Sequence, residues 1–539
     1  MENFDHNKQS SLISDNSFKI IVMILAVCIG MIVRYPYFVS KNTFPLGDGG
    51  LFVNMIYAIK SNHYLLPYYV NYNSYQIPFA YPPLGFYFAL ISSKIFGESV
   101  LRVVQILPVV VNLLAIATFV LLTSELTKDR VELLLASGIF SIVFQVYQWT
   151  VKGGGLSRSP GLLFTILTLY FFLLYQRKGV WHYLFFSAFV LGLTLMSHLE
   201  WALIAVTSCF VFALGAYKTK RIVFDLLILG LGAAFVSLPW WGTVIYRFGT
   251  APFVSAWNVA KMDAGQFSEK FFAGSMFSII VLFSSDYFLA FLGMVGFASA
   301  LLYRRNFFLP AWLLATYIVA PKNSPISGLL PLTILIAIGL RSIDNLVSYF
   351  LLQISCNAGG VWQRFMTNLS KIPVSIIYLA IIILSATQQL VDKPMLKAIK
   401  PIERTAMEYL EKNTPQDAKF VVLTQADWYS ADTAEWFPYL TKRQSLTTPQ
   451  GLEWVSVAEF NDIANRVFVL SQMVRNEQSG LEQGQLVKYV ETHFDDYGFV
   501  AIFADNLEYS FGGFFETGRY EIFYRKKDVL IFRVVPTSN

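Results

Sequence analysis

The stretch PPLGFYFALISSKIFG, residues 82–97, decides how the chain is arranged about a membrane. It is apolar and helix-like, but it is shorter than the roughly 20 residues that a membrane-crossing helix needs. The tandem prolines Pro82 and Pro83 fix an extended backbone just before it. Whether this segment crosses the bilayer or lies along it sets the orientation of every later segment.

The composition is that of a membrane protein. The chain has 539 residues, of which 55% are hydrophobic and only 14% are charged, with a mean hydropathy of +0.51. A soluble globular chain carries roughly 25% charged residues. The net charge of +6 is therefore interpreted as cytoplasmic loop charge, with the lipid bilayer as partner and no nucleic acid. The three cysteines are far apart and form no disulfide framework or metal-binding pair.

Hydropathy predicts about eleven membrane spans, and the basic residues orient them. The first apolar run is expected to be a retained span, not a cleaved signal peptide. Basic clusters separated by pairs of spans should all face the cytoplasm, for example Arg177 and Lys178. The predicted spans are 19–38, 101–122, 131–149, 161–176, 182–197, 201–216, 222–245, 286–303, 307–320, 328–341 and 373–390.

This orientation places the N-terminal tail, residues 1–18, in the cytoplasm and the first outer loop, residues 40–100, outside. Segment 82–97 then cannot cross, because a crossing would invert all later segments. The outer loop should therefore hold two interfacial helices, at 50–62 and 82–96. A second long outer loop, 247–285, is expected to carry another interfacial helix at 271–284. The span ending at 341 should be followed by a cytoplasmic loop, 342–371.

The C-terminal part, residues 393–539, has a different composition. Charges become frequent, and strand patterns occupy 419–424 and 499–504, followed by a hairpin formed by 520–525 and 528–535. Helical patterns lie near 402–412, 455–475 and 481–494. The predicted fold class is a polytopic α-helical membrane domain, residues 19–392, followed by an α/β domain outside the plasma membrane.

Asp48 is the carboxylate that this topology places at the outer boundary. It stands among Gly47, Gly49 and Gly50, just before a predicted helix. One interpretation is an N-cap for that helix. The other is a general base that takes a proton from an acceptor hydroxyl, with glycines that leave room for a substrate.

Taken together, these motifs resemble the GT-C superfamily of membrane glycosyltransferases. The resemblance is greatest to the branch that includes protein O-mannosyltransferases and lipid A aminoarabinose transferases. Those enzymes often carry Asp-Glu after the first span and His-Pro-Pro-Leu before the second outer helix. Here the corresponding strings are Gly47-Asp48-Gly49 and Tyr81-Pro82-Pro83-Leu84. The resemblance covers about residues 20–340.

The resemblance implies an inverting transfer of sugar from a polyprenyl-phosphate donor to a lipid, glycan or protein acceptor on the outer face. Asp48 would be the catalytic base. The donor phosphate would then need cationic partners in the outer turns, where Lys152, Arg158 and Lys322 are the candidates. The alternative for these turns is a flexible loop whose basic side chains extend to lipid headgroups.

Tyr81, His198 and Glu200 are the candidate substrate contacts. The alternatives are an aromatic belt residue for Tyr81 and a solvated turn for the other two. Oligosaccharyltransferases of this superfamily use a divalent metal, but the sequence lacks their paired-acid motif, so no metal or other cofactor is favoured. In the C-terminal domain, four side chains either stack on a sugar above the membrane site or pack onto the membrane domain: Trp436, Trp454, Tyr439 and Arg443.

Two rival functions remain open at this stage. A transporter or channel would need charged or polar residues inside its spans, and the predicted spans are nearly free of charge. A non-catalytic scaffold would keep the fold and tolerate the loss of Asp48.

Overall fold

The computed structural model describes most of both predicted parts of the chain. Structural statements below refer to the described residues, which are 14–39, 47–215, 221–272, 287–302, 307–320, 324–357, 359–370, 375, 378–380, 383–384, 399–478, 484–505, 507 and 511–535.

The N-terminal part is almost entirely helical. Among the described residues, five helices are long and apolar enough to cross a membrane: Asp15–Pro36, Val100–Leu126, Gly155–Lys178, Ile222–Phe248 and Leu329–Asn357. Large apolar side chains on one such helix stay exposed, as Phe235 does at 76%, which is expected of a face that meets lipid. The helices of this part are α1 (Asp15–Val39), α4 (Val100–Leu126), α5 (Arg130–Ile142), α6 (Phe144–Val151), α7 (Gly155–Lys178), α8 (Trp181–Ser197), α9 (Leu199–Gly215), α10 (Ile222–Phe248), α11 (Ala251–Phe272), α12 (Tyr287–Leu302), α13 (Phe308–Val319), α14 (Ser324–Ser327), α15 (Leu329–Asn357) and α16 (Gly360–Leu369).

Helices occupy ten of the eleven predicted spans, with three differences in their limits. The span 131–149 is two helices, α5 and α6, broken at Val143, whose extended backbone (φ −63°, ψ 124°) ends the first helix. The segment predicted as the second outer loop is helical from Ala251 to Phe272, where the sequence had indicated a helix only from 271. Helix α15 continues to Asn357 instead of ending at 341. Residues 273–286, which include most of the helix predicted at 271–284, lie outside the described residues. So does most of the predicted span 373–390.

The first outer loop contains the two predicted helices, α2 (Gly50–Ser61) and α3 (Leu84–Phe96). Between them, β1 (Tyr69–Asn71) and β2 (Gln76–Pro78) form an antiparallel hairpin. Helix α3 ends at Gly97, whose φ of 67° is the left-handed conformation typical of a helix C-terminus. The loop has its own apolar core, built around Val53, Met55 and Phe86. It is therefore a folded unit on the membrane domain.

The C-terminal part is built on a five-stranded mixed sheet with strand order β4-β3-β5-β7-β6. Strands β3 and β5 pair in parallel, while β6 and β7 form the predicted antiparallel hairpin. Strand β3 is apolar on both faces because helices cover both sides of the sheet: Val421 faces one core and Phe420 the other. Its elements are α17 (Pro401–Asn413), β3 (Lys419–Thr424), α18 (Asp432–Thr441), β4 (Gln444–Ser445), the 3₁₀ turn Leu452–Trp454, α19 (Val457–Gln478), α20 (Gln485–His493), β5 (Phe499–Phe503), α21 (Gly512–Glu516), β6 (Tyr520–Lys526) and β7 (Val529–Val534).

Two tryptophans join the C-terminal domain to the rest of the chain. Trp436 of α18 is fully buried in the core of the first outer loop. Trp454 packs with Ala80 and with Trp240 of α10. Of the two alternatives for these tryptophans, packing onto the membrane domain is therefore confirmed, and stacking on a sugar was wrong. Arg443 is also internal, because its guanidinium donates to the carbonyls of Thr414 and Glu411.

Candidate functional site

The turn between α6 and α7 passes directly over the main chain at Asp48. Residues Gly153 and Gly154 permit this approach because they lack a side chain. A Cβ at Gly153 would collide with the carbonyl oxygen of Asp48, and a Cβ at Gly154 would collide with the Asp48 carboxylate. Gly49, with φ of 143°, adopts a conformation that other residues avoid. The glycines on both sides thus bring two outer segments into backbone contact.

The Asp48 carboxylate is held from this turn. Its Oδ1 accepts a hydrogen bond from the Gly154 N–H at 3.2 Å, and its Oδ2 lies 3.3 Å from Nη1 of Arg158. Helix α2 is capped by Gly49 without a side-chain hydrogen bond, so the interpretation of Asp48 as an N-cap was wrong. The side chains of Asp48 and Arg158 are 31% and 30% exposed. This ion pair is therefore partly buried and partly accessible to solvent.

Two predicted phosphate contacts, Lys152 and Arg158, both lie close to the ring of Trp149. Their cationic groups are 4.5 Å and 5.7 Å from the ring centroid of Trp149. The alkyl stem of Lys152 lies over Gly47, where a Cβ would be 2.8 Å from Lys152 Cδ. Helix α7 begins at Gly155, before the predicted span 161–176, which places Arg158 near its first turn. Arg158 is therefore held beside Asp48 at a helix N-terminus, which itself favours anions, and Lys152 lies in the turn just before it.

A second carboxylate reaches this site from the C-terminal domain. Oε1 of Glu435 accepts a hydrogen bond from the Gly49 N–H at 2.9 Å. The indole N–H of the next residue, Trp436, donates to the Gly47 carbonyl at 2.6 Å. The two interactions hold the main chain on both sides of Asp48. Glu435 was not among the residues singled out from the sequence, and no local motif marks it.

Burial sets the protonation of the groups around Glu435. Burial and then the charge of Asp48 raise the pKa of Glu435 well above its ordinary value. The Tyr72 hydroxyl donates to the Glu435 carbonyl, and burial, followed by the charge of Glu435, raises the pKa of Tyr72 as well. Burial therefore disfavours the charged form of both groups.

The other residues predicted to contact substrate, Tyr81, His198 and Glu200, lie near Arg158. Its neighbour Ser157 lies 3.3 Å from the Tyr81 hydroxyl, and burial raises the pKa of Tyr81. His198 and Glu200 line a small cavity of about 20 Å³ together with Arg158. His198 occupies the single-residue turn between α8 and α9, where burial and then Arg158 lower its pKa to about 3. Lys322 lies outside the described residues.

A buried arginine is connected to the residues just before the glycine turn by hydrogen bonds. Arg34 of α1 is fully buried and donates to Asn112 Oδ1 at 2.7 Å and to the Ser141 carbonyl at 2.8 Å. Asn112 in turn donates to Thr150 Oγ1 at 2.9 Å, just before the glycine turn. The sequence interpretation of nearly charge-free spans overlooked this residue. The signal was present, because an arginine within a span is unusual and marks a functional or organising position.

These residues do not fit a divalent metal. Both Asp48 oxygens and Oε1 of Glu435 already accept from N–H donors, one of them a guanidinium. Each oxygen keeps a second lone pair, but the adjacent Arg158 guanidinium opposes the approach of a metal cation. Within the described residues, no three His, Cys, Asp or Glu side chains form a metal-binding group. No step is derived through a metal below.

The fold and the site together define a polytopic membrane protein. It holds Asp48, Lys152 and Arg158 close to one another, beside a C-terminal sheet region. A family model described as dolichyl-phosphate-mannose-protein mannosyltransferase matches residues 80–242. The match covers less than a third of the chain, begins next to the Tyr81-Pro82-Pro83-Leu84 motif, and leaves out Asp48. No curated protein matches the chain in sequence.

Solved structures match the chain over nearly its whole length. The archaeal oligosaccharyltransferase AglB from Archaeoglobus fulgidus, in complex with an inhibitory peptide and a dolichol-phosphate, has a TM-score of 0.59 at 14% identity and covers 97% of this chain and 75% of its own. ArnT from Cupriavidus metallidurans, bound to undecaprenyl phosphate, has a TM-score of 0.52 at 10% identity and covers 97% and 99%. The arabinofuranosyltransferase AftD from Mycobacteria has a TM-score of 0.53 at 13% identity and covers 98% and 40%.

These likenesses show the fold. The family model and all three structures belong to the GT-C glycosyltransferase superfamily. The predicted resemblance to that superfamily is therefore confirmed, and so is a fold that combines apolar membrane helices with a C-terminal sheet region. The number of spans stays a prediction.

Proposed function

We propose that the protein is an inverting GT-C glycosyltransferase that takes sugar from a polyprenyl-phosphate donor. The observation that carries the proposal is the partly exposed Asp48 carboxylate, which lies 3.3 Å from Arg158 at the N-terminus of α7. An anion-binding helix end, a base and a solvent-exposed approach are the parts that this transfer requires. Dolichol-phosphate on AglB and undecaprenyl phosphate on ArnT, two proteins of the same fold, support a lipid-phosphate donor.

In the proposed reaction, the acceptor hydroxyl attacks the anomeric carbon on the face opposite the phosphate. The new oxygen–carbon bond forms as the bond between the anomeric carbon and the phosphate oxygen breaks, so the configuration inverts. Asp48 takes the acceptor proton, and the electron pair leaves on the polyprenyl phosphate. Arg158 and Lys152 stabilise the charge that develops on that phosphate.

The ion pair at the site is suited to this exchange. Because Asp48 and Arg158 are both about a third exposed, their attraction is worth only about 0–1 kcal/mol. An incoming phosphate therefore competes for the Arg158 guanidinium at low cost, which releases one oxygen of Asp48 for the acceptor proton.

Glu435 is proposed as a positioning residue. Family members often carry a second acid directly after the first, but this chain has Gly49 there, and Glu435 brings a carboxylate to the N–H of that residue. We assign it the task of fixing the orientation of Asp48. The acceptor class, lipid, glycan or protein, stays open, and the proposed location is the plasma membrane with the C-terminal domain outside.

The test replaces Asp48 in cells that depend on this protein for a surface glycan. Mass spectrometry of envelope glycans and lipids, with and without the gene, identifies the product. Asp48→Asn preserves the shape of the side chain and should reduce transfer about 10²–10⁴-fold, while unfolding changes little. Full product formation by Asp48→Asn would exclude Asp48 as the base and would favour the scaffold alternative.

A further inference from the structure

A large polar cleft lies between the first outer loop and the C-terminal domain. Its volume is about 860 Å³, within the range of about 300–1,000 Å³ that is typical of ligand sites. One wall is the β1–β2 hairpin with the first turns of α2, and the other is the end of α18 with β4. The side chains that matter for its chemistry are Asn54, Tyr57, Gln76, Gln416, Tyr439 and Gln444.

The charged residues of the cleft are already neutralised or occupied. The Arg443 guanidinium is buried and makes hydrogen bonds with four main-chain carbonyls, including those of Glu411 and Thr414. Lys442 Nζ lies 2.5 Å from a carboxylate oxygen of Glu411. The buried guanidinium is thus not available to a ligand, and the exposed Lys442 is already paired with a carboxylate, which favours an uncharged ligand over an anionic one.

The remaining wall is made of uncharged hydrogen-bonding groups. In the described part of the chain, the side-chain amides of Gln76, Gln416 and Gln444 make no hydrogen bond with the protein. Each amide offers both donors and an acceptor. Beside them, the rings of Tyr57 and Tyr439 are stacked with centroids 6.1 Å apart. The amides can bind hydroxyl groups, and the neighbouring aromatic rings can contact C–H groups. This combination suits a sugar better than an acyl chain.

The cleft adjoins the acid site through one residue. Tyr72 lines the cleft, and its hydroxyl donates to the carbonyl of Glu435, whose carboxylate holds the Gly49 N–H. Asn54 stands one helical turn after Gly50 on α2. The cleft is thus separated from the groups that hold the main chain at Asp48 by the buried side chain of Tyr72.

We propose that this cleft binds a neutral oligosaccharide, as the part of a glycan substrate distant from the transfer point. The proposal extends the proposed function, but binding in the cleft does not require transfer, so the two can fail separately. The same chemistry serves a glycan acceptor or the glycan of a lipid-linked donor, and the experiment distinguishes these sources.

The binding arm uses the full-length chain in nanodiscs and saturation-transfer NMR. The probes are neutral hexose oligomers (α-glucan, β-glucan and mannan) and a matched oligogalacturonate. At least one neutral oligomer should bind, and the oligogalacturonate should not. The triple variant Gln76→Ala, Gln416→Ala, Gln444→Ala should weaken binding at least about tenfold, since each amide contributes a hydrogen bond. The exposed Gln363→Ala on α16 is the matched control.

Any of three results overturns the proposal: no neutral oligomer binds, the oligogalacturonate binds as well, or the triple variant binds like the control. The second arm measures KM with polyprenyl-phosphate monosaccharide and with its oligosaccharide counterpart. A rise in KM confined to the oligosaccharide donor assigns the cleft to the donor, and a rise confined to the acceptor assigns it to the acceptor. Binding without any transfer would leave the cleft assignment standing and remove the proposed function.

Discussion

Replacement of Trp436 tests whether the C-terminal domain completes the site. Its side chain is fully buried, and its N–H donates to the Gly47 carbonyl at 2.6 Å. Trp436→Phe keeps most of the packing but leaves a buried carbonyl without its donor, which costs about 1–3 kcal/mol. Trp436→Ala also leaves a cavity, for which about 3–5 kcal/mol is typical. The two variants therefore separate the hydrogen bond from the packing.

The effect on activity follows from the position of Gly47. This residue directly precedes Asp48, and a displacement of about 1 Å in a reacting group can cost about 10²-fold in rate. We expect Trp436→Phe to lower kcat by about ten- to a hundredfold, with little change in the KM for the donor. Transfer rates and thermal unfolding are measured in the same nanodisc preparation, with the 65% exposed Trp362→Phe as control. A wild-type rate in a Trp436→Phe protein of lowered stability would refute the positioning argument.

Three further substitutions probe the residues around Asp48. Arg158→Ala should lower the free energy of unfolding by less than about 1 kcal/mol, because the ion pair is partly exposed. It should reduce the transfer rate about 10²–10³-fold in assays with varied donor concentration. A loss of transfer no larger than the loss of stability explains would contradict phosphate binding by Arg158. Gly153→Ala places a Cβ against the Asp48 carbonyl and should cost about 1–3 kcal/mol and most activity, whereas Gly230→Ala, with nothing within 4 Å, should be neutral in both measurements. The pKa of Glu435 is higher in the folded protein than in the unfolded chain. The protonated side chain therefore contributes its full stabilisation at pH values below the pKa of the unfolded chain, and this stabilisation is lost as the pH rises through the pKa of the folded protein. Glu435→Gln should remove that decline in thermal unfolding measured across pH, and an unchanged pH profile would contradict it.

The sequence predicts the fold well where local pattern decides it. Apolar runs indicated the helices, and the strand predicted at 419–424 matches the observed limits of β3, Lys419–Thr424. The β6–β7 hairpin also follows from pattern, because two strand-like runs flank a short polar turn. The errors lie at helix ends. Helix α15 runs past 341 because residues 342–357 carry a further apolar run and contain no proline or glycine that would end the helix.

The site was predictable only in part, because much of it depends on contacts between distant segments. The sequence indicated Asp48 and Arg158 separately, yet their ion pair joins residues 110 positions apart. Glu435 lies 386 positions from Gly49 and has no neighbouring motif, so only the docking of α18 reveals it. Arg34 was different, since a charge inside an apolar run is visible without any structure.

The contacts around Asp48 differ in strength in a way that fits a reacting group. The main chain on either side is fixed by buried interactions, the Trp436 indole on Gly47 and the Glu435 carboxylate on Gly49. Within the described residues, the hydrogen bonds of the Asp48 side chain are long, at 3.2 Å and 3.3 Å, and only partly buried. Breaking those costs little, whereas moving the backbone would disrupt a domain interface. The structure therefore keeps the position of Asp48 constant while its carboxylate remains free to exchange partners, which is what a base needs when a phosphate and a hydroxyl arrive at the same site.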